Sequence, residues 1–160
     1  MKGEKTMALL AKLDKYHGKP KEITIKNDDG ESETWKIYPL PSKYFPLMVR
    51  VQEVIKEAKN KVVDGKEVPD VETLTSEQKA QLFELNKEVT IKTIAFSMGV
   101  QEGVFNYRDF DKKMMDSEIE QIEAAVERMS MEYLQQFMEA IGEANETPVV
   151  ADPKKEAVSQ

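Results

Sequence analysis

The stretch Glu22-Ile23-Thr24-Ile25-Lys26, followed by Asn27-Asp28-Asp29-Gly30 and then Thr34-Trp35-Lys36-Ile37-Tyr38, decides the fold class. Apolar and polar side chains alternate in both flanks. The apolar members are β-branched or aromatic, which fits a pleated, half-buried surface. Between them Asp29-Gly30 can supply the positive φ of a tight turn, but the distance between the two apolar runs points to a longer loop or to frayed strand ends. A β-hairpin over residues 22–38 follows. Such a ribbon is marginal alone, so Ile23, Ile25, Trp35 and Ile37 require a cover of helices or of another subunit.

Downstream of the ribbon the period changes from two to between three and four. Pro39-Leu40-Pro41 breaks the strand, Ser42 is placed to cap a helix, and Pro46 falls in the first turn, where a missing amide hydrogen matters little. Leu47, Val51, Val54, Ile55 and Ala58 then form one stripe of a helix over about 43–59. From Asn60 to Leu74 apolar residues are sparse, and Asp64-Gly65 and Pro69 read as a flexible polar connection. Thr75 with Gln78 forms a capping-box pattern opening a helix over 76–98, which carries apolar residues on two sides and stops at Gly99. The residues Val104, Phe105, Tyr107 and Phe110 fall in a loop or short helix. Ser117 with Glu120 predicts the start of a helix over 118–129, and Ser130 the cap of another over 131–141 that ends at Gly142.

Upstream, Leu9, Leu10, Leu13 and Tyr16 have helical spacing within Thr6 to Tyr16, so residues 1–20 read as an N-terminal helical extension. Residues 143–160 are polar, contain Pro148 and Pro153, and read as a flexible, disordered tail. The fold expected is α+β and mostly helical: an N-terminal β-hairpin followed by a small helical bundle, forming a single domain over 21–142. At 160 residues, with 40% apolar and 33% charged side chains, one core is the natural outcome.

Thirty acidic against 23 basic residues give a net charge of −7, which disfavours nucleic acid and anionic lipid as partners. No cysteine is present, so disulfides, thiolate metal sites and cysteine nucleophiles are excluded. His17, the single histidine, stands beside Gly18 at a helix end and reads as a capping or surface residue. The acids from Asp109 to Glu120 imitate a calcium loop, but Lys113 and Met114 occupy the fifth and sixth positions of that frame, where a ligand and a glycine belong. No catalytic residue, cofactor or metal is expected. The short apolar run Met7 to Leu10 falls well below a membrane span, and a cytoplasmic protein is expected.

Nine methionines are the compositional oddity, with Met114, Met115, Met129, Met131 and Met138 in the last third. Flexible thioethers suit adaptable binding surfaces as well as irregular cores. The order of parts adds a family expectation. A ribbon ending in Trp35-Lys36-Ile37-Tyr38-Pro39-Leu40-Pro41 leads through Ser42-Lys43-Tyr44-Phe45 into a helix. After it come a helix closing on Ile94-Ala95-Phe96-Ser97-Met98-Gly99-Val100 and one built on Tyr133-Leu134-Gln135-Gln136-Phe137.

From Ile23 to Ala144 this resembles the tail-assembly chaperones of long-tailed phages and prophages, although Met1 to Pro20 is longer than that pattern. The resemblance implies a non-enzymatic protein of the host cytoplasm that coats the tape-measure protein and helps recruit tail-tube subunits. The alternatives are a structural virion component, such as a head-tail connector or tail-completion protein, and a small helical adaptor. Trp35, Tyr44, Phe45, Met131, Leu134, Phe137 and Met138 are the expected partner-binding residues, and a homo-oligomer is possible.

Overall fold

The computed structural model describes residues 19–101 and 112–150, with Lys12 besides, and of residues 101 and 112–117 only the backbone. The expected helix at Thr6 to Tyr16, His17, the aromatic run 104–110, Asp109 to Asp111, the side chains of Met114 and Met115, and residues 151–160 lie outside this range. The described part is α+β and mostly helical. Its order is β1 (Lys21–Lys26), β2 (Ser32–Ile37), α1 (Phe45–Ile55), β3 (Lys59–Val63), β4 (Lys66–Asp70), α2 (Ser76–Gln101), α3 (Lys112–Glu127) and α4 (Met131–Ala144).

The first hairpin forms as the alternation predicts, with Ile23 opposite Trp35 and Lys21 opposite Ile37 in an antiparallel register. Its connection is the longer loop. Asn27 organises it by accepting the Asp29 and Glu31 amides on its side-chain oxygen, both at 3.0 Å, and Gly30 takes φ 80°. Ile23, Ile25 and Ile37 are buried on one face and covered by α4 and α2. Trp35 meets Phe137 of α4 edge-on, with ring centroids 5.3 Å apart at 82°. Polar ties fix the ribbon to the helices: Lys26 N donates to Gln136 Oε1 at 3.2 Å, Tyr38 N to Ser97 Oγ at 2.9 Å, and Lys21 Nζ to the Ala144 carbonyl at 2.6 Å. That last bond places a cation at the negative end of α4.

Helix α2 is the hub, touching α1, α3, α4 and β2. The reciprocal capping box is realised at its start, where Thr75 N donates to Gln78 Oε1 (3.0 Å) and Gln78 N to Thr75 Oγ1 (3.1 Å). Because neighbours surround it, its buried residues include not only Leu82, Phe83, Leu85, Ile91, Ile94 and Phe96 but also Asn86, Thr90, Thr93 and Ser97. The polar group stays satisfied locally: Thr90 Oγ1 donates to the Asn86 carbonyl at 2.8 Å, and Ser97 receives the strand amide of Tyr38.

Five expectations are corrected. First, Asn60 to Leu74 is no loose connection: it folds as the hairpin β3–β4, a short 3-10 turn over Val71–Thr73, and the buried Leu74. Asp64 (φ 52°) and Gly65 (φ 78°) form a tight two-residue turn with positive φ at both positions, the type that matches strand twist. Second, Ser42 caps nothing; it opens a 3-10 turn over Ser42–Tyr44, after which α1 runs from Phe45, with Pro46 in its first turn as expected, to Ile55. Third, Gly99 does not end α2, which continues to Gln101: a single helical glycine costs about 1 kcal/mol, which tertiary burial overrides.

Fourth, Ser117 lies within α3, which begins at Lys112 and ends at Glu127. Fifth, the chain beyond Gly142 is ordered as far as it is described. Helix α4 is capped by Ser130, whose hydroxyl accepts the Tyr133 amide, and passes through Gly142 to Ala144; Glu146 at φ 54° then turns the chain back. Thr147 N donates to the Gly142 carbonyl at 2.8 Å, and Val150 is buried in the core. Gly142 is the enabling residue: a Cβ there would clash with Val149 Cγ2 and stand 2.9 Å from the Thr147 carbonyl. The segment 145–150 is a strap over α4, and the rest of the expected tail, residues 151–160, lies outside the described residues.

Candidate protein-binding surfaces

The residues expected to meet a partner divide into three groups. Leu134, Phe137 and Met138 are 2, 3 and 1% exposed, sealed inside the core of a single chain, and offer nothing to a partner in this conformation. Their spacing on α4 is that of an inward stripe, and the Ile23–Ile25 face of the ribbon occupies it. Trp35 and Tyr44 are half-buried. Two cations lie over the Tyr44 ring, Lys43 Nζ 5.0 Å and Lys92 Nζ 5.6 Å from its centroid. Phe45 and Met131 alone of the set stand open, at 67 and 41% exposure.

Phe45 belongs to an apolar face of α1. It follows the 3-10 turn on the side opposite the buried Leu47, Val51 and Val54, so its ring is directed to solvent together with Val49, and Met48, Gln52 and Lys56 border a shallow depression of about 310 Å³. Sequence reasoning found Phe45 but missed Val49, whose i+4 spacing from Phe45 was the available signal.

The larger apolar feature is a groove of about 560 Å³ between α2 and α3, closed at one side by Trp35. Ile94 and Met98 line it from α2; Ile122, Ala125 and Val126 line it from α3, with Met129 just beyond that helix. Glu118 and Gln121 supply its polar rim. Of these residues the sequence reading singled out only Trp35 for binding. Ile122, Val126 and Met129 were visible as a helical stripe, and stripes are ordinarily assigned to a core. Here part of the stripe is half-buried and reaches an open groove.

A third concavity, about 580 Å³, is charged. Glu84, Glu88, Glu123 and Glu127 line it with Arg50, Lys87 and Lys92 above Leu85 and Ile91. Lys92 Nζ pairs with Glu123 at 3.3 Å. Interspersed charges of both signs cancel over short distances, so this surface lacks the one-signed field that gathers an ionic substrate. Among the described residues no group of three His, Asp or Glu side chains gathers as a metal site. No helix among them is long and apolar enough to cross a membrane. Of the ligand positions in the calcium-like frame only Glu120 has a described side chain, and it is exposed on α3.

The arrangement is suited to holding apolar polypeptide: methionines at Met98 and Met129 adapt to differing side chains, and Trp35 supplies a rigid wall. Compared with known proteins, the chain matches no family model, no curated protein and no solved structure.

Proposed function

We propose that this chain is a non-enzymatic assembly chaperone of the kind found in long-tailed phages, which holds an apolar helical segment of the tape-measure protein in the host cytoplasm while tail-tube subunits assemble. The observation that carries this reading is the α2–α3 groove, open, apolar and bordered by Trp35, Met98, Ile122 and Met129. A groove between helices accepts a third amphipathic helix through side chains spaced three and four residues apart. The net charge of −7 keeps such a carrier soluble while its cargo is bound.

The test is co-expression with the long helical protein encoded beside it. The unaltered chain is expected to hold that protein in the soluble fraction, and Ile122→Glu to release it, because a carboxylate buried under an apolar helix loses its hydration. Failure of the unaltered chain to raise the partner's solubility defeats the reading. A structural virion component is the second reading, and the hairpin β3–β4 favours it, since an exposed two-stranded ribbon of Val62 and Val63 is the sort of element that neighbouring subunits cover. A stoichiometric band of this chain in purified particles would decide for it.

A further inference from the structure

The hairpin β3–β4 has two edges of unequal chemistry. Antiparallel ladders alternate between residues whose amides face the partner strand and residues whose amides face away. The two-residue turn makes Val63 and Lys66 a facing pair, so Lys61 with Val68 and Lys59 with Asp70 also face inward. Thr73 corroborates this parity: its hydroxyl accepts Lys59 N at 2.8 Å and donates to the Asp70 carbonyl at 2.6 Å, bridging the inward side of the last pair. The outward positions are therefore Glu67 and Pro69 on β4, and Asn60 and Val62 on β3. Pro69 has no amide hydrogen, so the outer edge of β4 is blocked at the middle of any added ladder. The outer edge of β3 keeps both of its outward donors and both acceptors, on a strand exposed at every residue.

We infer that the open edge of β3 is a strand-addition site for an extended acidic segment of another polypeptide, paired antiparallel through the backbones of Asn60 and Val62. Lys59 and Lys61 select the occupant. They share one face of β3, two residues apart, so a strand laid along this edge sets its own side chains beside both lysines; Lys61 Nζ lies 3.7 Å from Asp70 on β4 and its side chain is half-exposed, so an acid on the added strand would share it with that carboxylate. A partner strand with acids at alternate positions complements that pair.

The same lysines reject a second copy of this chain. Two β3 edges related by a two-fold axis run antiparallel. Opposing Asn60 to the other Val62 sets Lys61 against Lys61, and opposing Asn60 to Asn60 sets Lys59 against Lys61. The remaining register, Val62 to Val62, pairs Asn60 with the turn residue Asp64 and leaves little ladder. The exposed Val62, 69% accessible, gives the incoming strand an apolar contact on the other face. This surface is separate from the α2–α3 groove, and the inference stands whether or not the chaperone reading holds.

The test uses the full chain and two capped synthetic peptides, one alternating glutamate with valine and one alternating lysine with valine, followed by amide chemical shifts and hydrogen exchange. The glutamate peptide is expected to protect the Asn60 and Val62 amides and to bind roughly tenfold or more tightly than the lysine peptide, because like charges across a strand pair repel. Val62→Pro removes one outward donor and no donor of the hairpin's own ladder, as Pro69 already does on β4; it should abolish that binding. If Val62→Pro loses the hairpin, the double variant Lys59→Gln with Lys61→Gln keeps every amide, sets no like charge against Asp70, and should remove the preference for the glutamate peptide that the unaltered chain shows. Equal affinity of the unaltered chain for the two peptides, protection appearing at the α2–α3 groove in place of β3, or dimerisation through β3 without peptide would each overturn the inference.

Discussion

The two hairpins of this protein share a secondary structure and almost nothing else. The ribbon β1–β2 has a five-residue connection, one buried face, and helices α2 and α4 against it; β3–β4 has the tightest of turns and no buried residue, with half-buried positions only at Val68–Asp70. The first is held by what covers it. The second is held by turn geometry, by the Thr73 bridge and by the Lys61–Asp70 pair, all local. Burial and backbone chemistry are thus separable routes to the same element, and substitutions should act globally in one hairpin and locally in the other.

The largest effect is expected at Phe137→Ala. Phe137 is 3% exposed and meets Trp35 edge-on, so truncation both empties volume in the core and removes the cover of β1–β2. A loss of about 3–5 kcal/mol is expected, read as a lowered denaturant midpoint with one cooperative transition. A loss under about 1 kcal/mol would mean that the first ribbon does not depend on its helices, and the contrast would collapse.

Next comes Gly142→Ala. The added methyl collides with Val149 and the Thr147 carbonyl, and the strap 145–150 must lift from α4, whose final carbonyls also receive Lys21 of β1. About 1–3 kcal/mol is expected, as for other overpacked sites, together with loss of exchange protection at the Thr147 amide. Protection at Thr147 equal to that of the unaltered chain would show that the strap accommodates the methyl without lifting.

Gly65→Ala is the counterpart in the second hairpin. Open space surrounds the position, so no clash arises, but φ 78° costs a residue with a Cβ about 1 kcal/mol. Exchange should quicken at the inward amides Lys61, Val63 and Lys66 while the global midpoint hardly moves. A fall of the global midpoint as large as that of Phe137→Ala would show that β3–β4 supports the core after all.

This contrast also explains what could be read from the sequence. Ile23, Ile25, Trp35 and Ile37 announced β1–β2 because burial of one face leaves a period of two in hydropathy. β3–β4 has no buried face, so Lys-Asn-Lys-Val-Val and Lys-Glu-Val-Pro-Asp carry no such period, and the run reads as a flexible connection. The remaining signal is Asp64-Gly65, which is strong local hairpin chemistry, and Pro69, which suits a polar connection but is equally at home on an outward edge position. The helix ends erred for a related reason. Gly99 and Gly142 read as stops, yet each lies in a helix: at Gly142 the glycine serves close approach of the strap, and the positive φ falls four residues later on Glu146. At the candidate site, Trp35 and Phe45 were legible as large apolar residues beside breaks in the pattern, whereas the groove was not. It lies between side chains of α2, α3 and Trp35, and the spacing of elements brought together by folding is a tertiary property.

The smallest expected effect sharpens the account of the first hairpin's loop. Asp28 acts on the Tyr133 hydroxyl of α4 as a hydrogen-bond acceptor and a nearby negative charge, and with partial desolvation this holds the phenol above its ordinary pKa of 10.0. A neutral phenol that keeps its proton more firmly when folded stabilises the fold below the ordinary tyrosine range, and that contribution is lost as the pH rises through the raised value. Tyr133→Phe should therefore flatten the alkaline limb of a stability-versus-pH curve and lower the neutral region slightly, the tyrosine being half-buried and its interaction with Asp28 partly screened. Because Asp28 belongs to the loop between β1 and β2, the variant should also free the Asp29 and Glu31 amides to exchange slightly faster. If the alkaline limb keeps its slope in Tyr133→Phe, the loop is fixed by Asn27 alone, and the dependence of the first hairpin on α4 stops at the strands.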